Sequence, residues 1–266
     1  MAILRPPLIK FSVMLAPLVL LCGGAFLFGK YFTITKAASA PVSVRPFVLD
    51  LAQVNYADDP AGKAVLNHLV LRRRDGTEAL VAYAPGDQSR VIGRRVNGID
   101  GRIAGIFDGI SSVMSGWITP KALAQKKRLL MEPPPQCAWK GESVAGKEQI
   151  AGHSAWRVVR EAPGSSRRWT EWRLEEFSCA MVRQLQEQRE PDGRWRRIFE
   201  AFPLSFAEAD PDPAVFSNWE NYSELPPSEI RKRLYQRAGV TPDKCPGCFQ
   251  DDARVNGKYF EMQSRP

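Results

Sequence analysis

Residues 11–29 (FSVMLAPLVLLCGGAFLFG) run for nineteen positions without a charge, between Arg5 and Lys10 on one side and Lys30 and Lys36 on the other. As a helix rising ~1.5 Å per residue, the run covers roughly 28 Å, close to the ~30 Å of a bilayer's hydrocarbon core. It predicts a transmembrane segment, because a buried core helix suits a shorter run of about 10 to 14 apolar residues. An uncleaved anchor is the favoured reading; a cleaved signal peptide and a lipoprotein lipidated at Cys22 are the alternatives. A signal peptide has an apolar core of about 7 to 15 residues, and Pro41 directly follows the Ala38-Ser39-Ala40 pattern. Leu21 stands where a small residue normally precedes a lipidated cysteine. Basic residues flank both ends, so the positive-inside rule does not orient the segment. Residues 1–10 are expected to stay in the cytoplasm because a short tail is easier to retain than a folded domain.

Residues 30–44 are small and polar and read as a linker. From residue 45 the pattern turns to β, with strands expected at 47–56, 65–74 and 77–84. Asp75-Gly76 joins the last two, which predicts a hairpin closed by a two-residue type I′ turn. Residues 88–107 read as a strand bent at its glycines. Short helices are expected at 108–117 and 120–128, the second with Pro120 in its first turn. Glu132-Pro133-Pro134-Pro135 ends regular structure. Strands follow at 149–161, 168–174, 179–189 and 194–202, separated by Pro163-Gly164-Ser165-Ser166 and Pro191-Asp192-Gly193. With no helix between them, they predict an antiparallel meander. Asp210-Pro211-Asp212-Pro213 closes the sheet region. A helix is expected at 228–238, with Ile230, Leu234 and Ala238 on one face and Gly239 as its stop.

Composition changes the picture in one respect. The chain has 37 Lys and Arg against 29 Asp and Glu, a formal charge of +8. Arg5, Lys10, Lys30 and Lys36 account for about half of that excess. The remaining basic residues are scattered, which reads as a solvated face or, more sharply, as attraction to anionic headgroups. Export argues against nucleic acid as a partner. The roughly 226 residues after position 40 suffice for one β-rich domain, expected over 45–223, followed by a helix and polar tail over 224–266.

The stretch 146–222 contains GKEQIAGHSAWRVVRE, RRWTEWRLEEFSCAMVRQ and a closing Asp212-Pro213 to Tyr222 element. This order resembles exported bacterial proteins with a fold like the periplasmic outer-membrane lipoprotein carriers, the LolA/LolB/RseB-like half-barrels, most of them without an assigned function. The resemblance implies an α+β, mainly β fold: a curled antiparallel sheet, an incomplete β-barrel, around short helices, here behind an N-terminal transmembrane helix. It implies a concave face able to hold acyl chains and, since similar proteins often carry cysteines at both places, a Cys137 to Cys179 disulfide. Seven Trp and thirteen Phe supply large apolar surfaces in keeping with this. Trp156, Trp169, Trp172 and Trp195 fall on neighbouring expected strands and read as core, or as ligand-cavity residues where they face an opening.

Cys245-Pro246-Gly247-Cys248 is the remaining motif with reactive potential. It reads first as a local disulfide; a metal site, a redox dithiol and pairing with another chain are the alternatives. A redox pair usually opens a helix after a strand, whereas this one follows a helix. A zinc knuckle needs a second pair at similar spacing. His68 and His153 are the two histidines. Gly152-His153-Ser154-Ala155-Trp156 lacks the second glycine of a nucleophile elbow, so His153 is expected at a strand start. Glu171, Glu175 and Glu176 read as partners of Arg167, Arg168 and Arg173. No catalytic residue, metal ligand or cofactor is implied.

The expectation is a single-pass protein of the bacterial inner membrane with its main domain in the periplasm, or a periplasmic protein if the segment is cleaved. It binds a lipid or lipoprotein without chemistry. A regulatory or sensory domain binding a partner protein is the second reading, and a thiol oxidoreductase using Cys245 and Cys248 the third.

Overall fold

The computed structural model describes residues 42–57, 59–62, 65–84, 87–161 and 164–243. The apolar run at 11–29, most of the linker and the pair Cys245 and Cys248 lie outside them. Among the described residues no helix is long and apolar enough to cross a membrane.

Two antiparallel meanders build the fold. The first comprises β1 (Phe47–Val54), β2 (Val65–Arg72), β3 (Glu78–Ala84), β4 (Asp87–Asn97), β5 (Arg102–Phe107) and β6 (Ser112–Trp117). The second comprises β7 (Ser143–Ile150), β8 (His153–Glu161), β9 (Arg167–Leu174), β10 (Ala180–Arg189) and β11 (Trp195–Ala207). Helix α1 (Pro120–Met131) links them, and β12 (Ser223–Glu224) and α2 (Pro227–Arg237) follow. β1 also pairs with β11, so the two meanders form one open, curled twelve-stranded sheet in the order β12-β6-β5-β4-β3-β2-β1-β11-β10-β9-β8-β7. Bulges in the β1/β11, β3/β4, β9/β10 and β7/β8 ladders bend and twist it locally.

Directly opposed residues of antiparallel strands share a face, so the registers sort the side chains. One face carries Phe47, Leu49 and Leu51 of β1, opposite Arg72, Val70 and His68 of β2 and then Glu78, Leu80 and Ala82 of β3. Both helices lie on this face. Ile230 and Leu234 of α2 pack with Phe107 and Met114, and Lys126 of α1 donates to the Asn97 carbonyl at 2.9 Å. Phe47, Leu49 and Leu51 also form a core with Trp172, Leu174, Phe177 and Val182. The opposite face of the first meander packs Leu71, Val81, Val96 and Ile106 beneath Phe216, Trp219 and Tyr222. The closing Asp212-Pro213 to Tyr222 element is therefore a cover over one half of the sheet.

Several boundaries differ from the sequence reading. Residues 108–117 form no helix; a single 3-10 turn over Asp108–Ile110 gives way to β6. Ser111 at φ 47° breaks the helical path, and Val113 with Gly116 weakens any helix there. The β2–β3 hairpin exists, but its connection spans 73–77 with only Gly76 left-handed, at φ +84°, because the Asp75 side chain instead accepts from the Thr77 amide at 2.8 Å. The two-residue turn with both φ positive sits at Ala151-Gly152 (49° and 81°) and splits the single strand expected at 149–161 into β7 and β8. The bent strand at 88–107 is likewise two strands, β4 and β5, joined through Gly98 and Gly101.

Cys137 and Cys179 are bonded, with Cα atoms 5.3 Å apart and a sequence separation of 42. The buried Arg173 guanidinium fixes the same segment, donating to the Cys137 carbonyl at 2.6 Å and to both Glu142 carboxylate oxygens at 2.6 and 2.9 Å. The disulfide and Arg173 thus pin residues 137–142 to the face of β8–β10 opposite Trp172. In the chain-entropy account a loop of this length is worth about 4 kcal/mol. The Cys137→Ala/Cys179→Ala variant is expected to lose about that much in urea unfolding, and a loss below about 1 kcal/mol would show that Arg173 alone holds the segment.

Candidate functional site

The face that carries the helices is apolar at its centre and charged at one margin. Leu49, Val70 and Leu80 align across β1, β2 and β3, and Leu51, His68 and Ala82 form the next row. Val70 and Leu80 are only half-buried. His68 is 4 % exposed, and its Nδ1 has no hydrogen-bond partner. Burial pushes its pKa down to about 4, against a weaker opposing contact with the Leu66 backbone. The ring is therefore neutral at physiological pH.

The charged margin is the next row, Arg72 and Glu78, with α1 above it. Arg72 Nε and Nη2 both reach Glu78 Oε1, at 2.9 and 2.7 Å, and Nη1 donates to the Phe177 carbonyl at 2.6 Å. Burial works against the Glu78 charge, but Arg72, Lys126 and Arg95 outweigh it and hold the carboxyl below its usual range. Burial lowers the Lys126 ammonium despite the nearby Glu78. This cluster seats α1 across the ends of β2–β5.

The four tryptophans singled out from the sequence divide between the faces. Within the second meander Trp172 and Trp195 fall on one face, where Trp172 joins the core that holds Leu49, and Trp156 and Trp169 fall on the other. Each has a cation over its ring: Arg183 at 4.5 Å from Trp172, Arg168 at 4.5 Å from Trp195, Lys147 at 4.1 Å from Trp156 and Arg160 at 5.0 Å from Trp169. Trp172 is 5 % exposed and gives its Nε1 proton to Glu148 at 2.8 Å; the other three are half-buried.

His153 opens β8, and its Nδ1 lies 2.5 Å from Glu176 Oε1. Arg45 bridges Glu176 and Glu208 and stacks over Phe177 at 4.4 Å. These contacts join the start of β1, the end of β11 and the β9–β10 turn. Glu171 pairs with Arg173 as the sequence suggested, while Glu175 accepts from Trp156 Nε1. An open cleft of about 520 Å³ lies beside the β2–β3 turn, lined by Arg73, Arg74, Asp75, Asp210 and Pro211. Its charges are matched, Arg74 with Asp210 at 3.4 Å and Arg73 with Asp75 at 3.7 Å. Among the described residues no group of three His, Cys, Asp or Glu is placed to hold a metal. The sequence reading counts Arg72 and Lys126 among the scattered basic residues of a solvated face and passes over Glu78, whereas Arg72 is buried against it. The available signal was a strand-like run, residues 65–74, that ends in three arginines.

His68 carries a pH dependence whose sign follows from its position. Its folded pKa, about 4, lies below the ordinary 6.5, so its contribution is complete above pH ~6.5 and is lost as pH falls toward 4, where only the unfolded chain takes up the proton. The loss over that window should approach about 3 kcal/mol. Urea midpoints of the wild type should therefore drop between pH 7 and 4.5 by clearly more than those of His68→Phe; equal slopes would show that His68 is solvated.

No protein-family model matches the sequence, and no curated protein does. Among solved structures the chain is similar to an uncharacterized conserved protein from Thermus thermophilus, with a TM-score of 0.43 and 9% identity over 68% of this chain and 90% of that one. It is similar also to the complex structure of Pseudomonas aeruginosa MucA/MucB, at a TM-score of 0.40 and 13% identity over 65% of this chain and 55% of that one. The chain thus spans about half the length of that relative. A third similar structure is a putative outer membrane lipoprotein-sorting protein domain from Vibrio parahaemolyticus, at a TM-score of 0.27 and 8% identity over 65% of this chain and 89% of that one.

Proposed function

We propose that this protein is an exported binding domain, tethered to the inner membrane by residues 11–29, that receives an apolar or amphipathic ligand on the helix-bearing face of its sheet and performs no chemistry on it. One observation carries the reading. A buried, neutral histidine with an unpartnered Nδ1 lies in the row beside half-buried Val70 and Leu80. An unsatisfied buried polar group costs about 1–3 kcal/mol, and a ligand with one hydrogen-bonding group and an apolar body removes that cost. Trp172 then serves as a wall of the seat, and the charged row at Arg72 and Glu78 bounds it. The Cys137–Cys179 disulfide supports an oxidising compartment, here the periplasm. A lipid or the acyl chains of a lipoprotein have the required chemistry.

A second reading, a domain that binds another protein, is favoured by β7. Among the described residues this eight-residue edge strand pairs only with β8, and an open edge is a template for an added strand. Native mass spectrometry of gently extracted full-length protein separates the two. The ligand reading expects adducts in the lipid mass range that shrink in Leu80→Gln. A bare mass both as purified and after incubation with lipid extract would sink it and leave the edge-strand reading.

A further inference from the structure

The face of β7–β9 opposite the one that holds Trp172 and Leu174 carries a strip that the ligand seat does not use. The registers align Lys147 with Trp156 and Arg160 with Trp169, and Arg167 lies next along β9 on the same face. Lys147 and Arg160 stack on their tryptophans at 4.1 and 5.0 Å. Lys147, Arg160 and Arg167 are exposed, and so is Lys140 in the segment whose Trp139 and Glu142 sit on Arg173. Among the described residues none of these four cations makes an ion pair. The carboxylates within this face are committed: Glu142 and Glu171 to Arg173, both at 2.6 Å. Glu175, at the end of the strip, accepts from Trp156 Nε1 at 2.8 Å.

We propose that this strip is a docking surface for anionic lipid headgroups, which lays the domain on the bilayer that tethers it; the proposal rests on the membrane-tether reading above. Charge complementarity favours a lipid surface as the occupant. Long basic side chains extend over half-buried indole rings, so the cations meet phosphate while the rings sit at headgroup depth, where Trp is enriched. The strip spans three strands without an apolar pocket, which suits a planar array of anions better than a single bound molecule. The tether requires only that the domain rest nearby, since the described chain begins thirteen residues after the apolar run ends.

The test uses full-length protein in liposomes of phosphatidylcholine alone or with phosphatidylglycerol, each with bromine on the upper acyl chain, and reads tryptophan quenching. Quenching is expected in the phosphatidylglycerol liposomes at low salt, with a loss at high salt because screening shortens the reach of surface charge. The Lys147→Glu/Arg160→Glu/Arg167→Glu variant should lower it to the level of Trp156→Phe/Trp169→Phe, corresponding to a drop of roughly tenfold or more in the docked fraction. Quenching that is equal in both liposomes, or that survives charge reversal, overturns docking. The salt response of the wild type decides the matter if the triple variant does not fold. Alkaline washing of the same liposomes separates the two readings: protein that washes out overturns the tether, whereas protein that stays without charge-dependent quenching overturns docking alone.

Discussion

β1 is bonded along both edges, to β2 through residues 65–72 and to β11 through residues 200–207. Every other connection between the two meanders is a segment lying over the sheet. Its side chains enter both layers: Phe47, Leu49 and Leu51 belong to the core beside Trp172 and Leu174, and Val48 packs into the cluster beneath Phe216. Leu49 is fully buried. A one-residue slip of β1 would exchange these faces and empty both cores at once, so its register fixes the positions of all eleven other strands. The β1–β11 pairing joins residues about 150 positions apart. Such contacts come after loop closure has been met, so the local hairpins are expected to precede the joined sheet.

Three buried arginines fasten the non-strand segments to this sheet by a common device. Arg72 binds the Phe177 carbonyl and Glu78; Arg94 binds Asp108 at 2.7 and 2.9 Å and the carbonyls of Ala214, Val215 and Ser217; Arg173 binds the Cys137 carbonyl, Glu142 and Glu171. They are 5, 8 and 4 % exposed. A guanidinium offers five donors in a fixed plane, so one side chain neutralises itself on a carboxylate and still satisfies orphan carbonyls of an irregular segment. A lysine could not cover both. Part of the chain's basic excess is therefore internal scaffolding.

Much of this was legible in the sequence because strand alternation and turn chemistry are local. The hairpins that join β8 to β9, β9 to β10 and β10 to β11, together with α1, α2 and the closing Asp212-Pro213 to Tyr222 element, all announce themselves within short windows, whereas the β7–β8 turn at Ala151-Gly152 does not. The pairing of β1 with β11 does not, since hydrogen bonds between strands leave no trace in either strand alone. Nor does the assignment of Arg94: it looks like half of an exposed Arg94-Arg95 pair, and only the arrival of residues 214–217 makes it a buried hub. The 108–117 stretch misleads because Ile110, Val113, Met114 and Trp117 are spaced like a helix face. The left-handed Ser111 and the pairing with β5 override that spacing. The tryptophans lie on the expected strands, but how their faces relate to β1 depends on the bulges in β11, and those shift parity without a sequence mark.

The two faces of the β7–β11 half differ in a way that bears on the proposed function. Side chains of successive residues on a strand point to opposite sides, so the sheet cannot present its basic strip and the face of Trp172 and Leu174 to the same surface. A domain lying on headgroups through Lys147, Arg160 and Arg167 turns Trp172 and Leu174 away from the bilayer. The open edge at β7 borders the strip at Lys147 and lies five strands beyond β1, so an incoming partner strand there would meet the strip and leave the seat on β2 and β3 free.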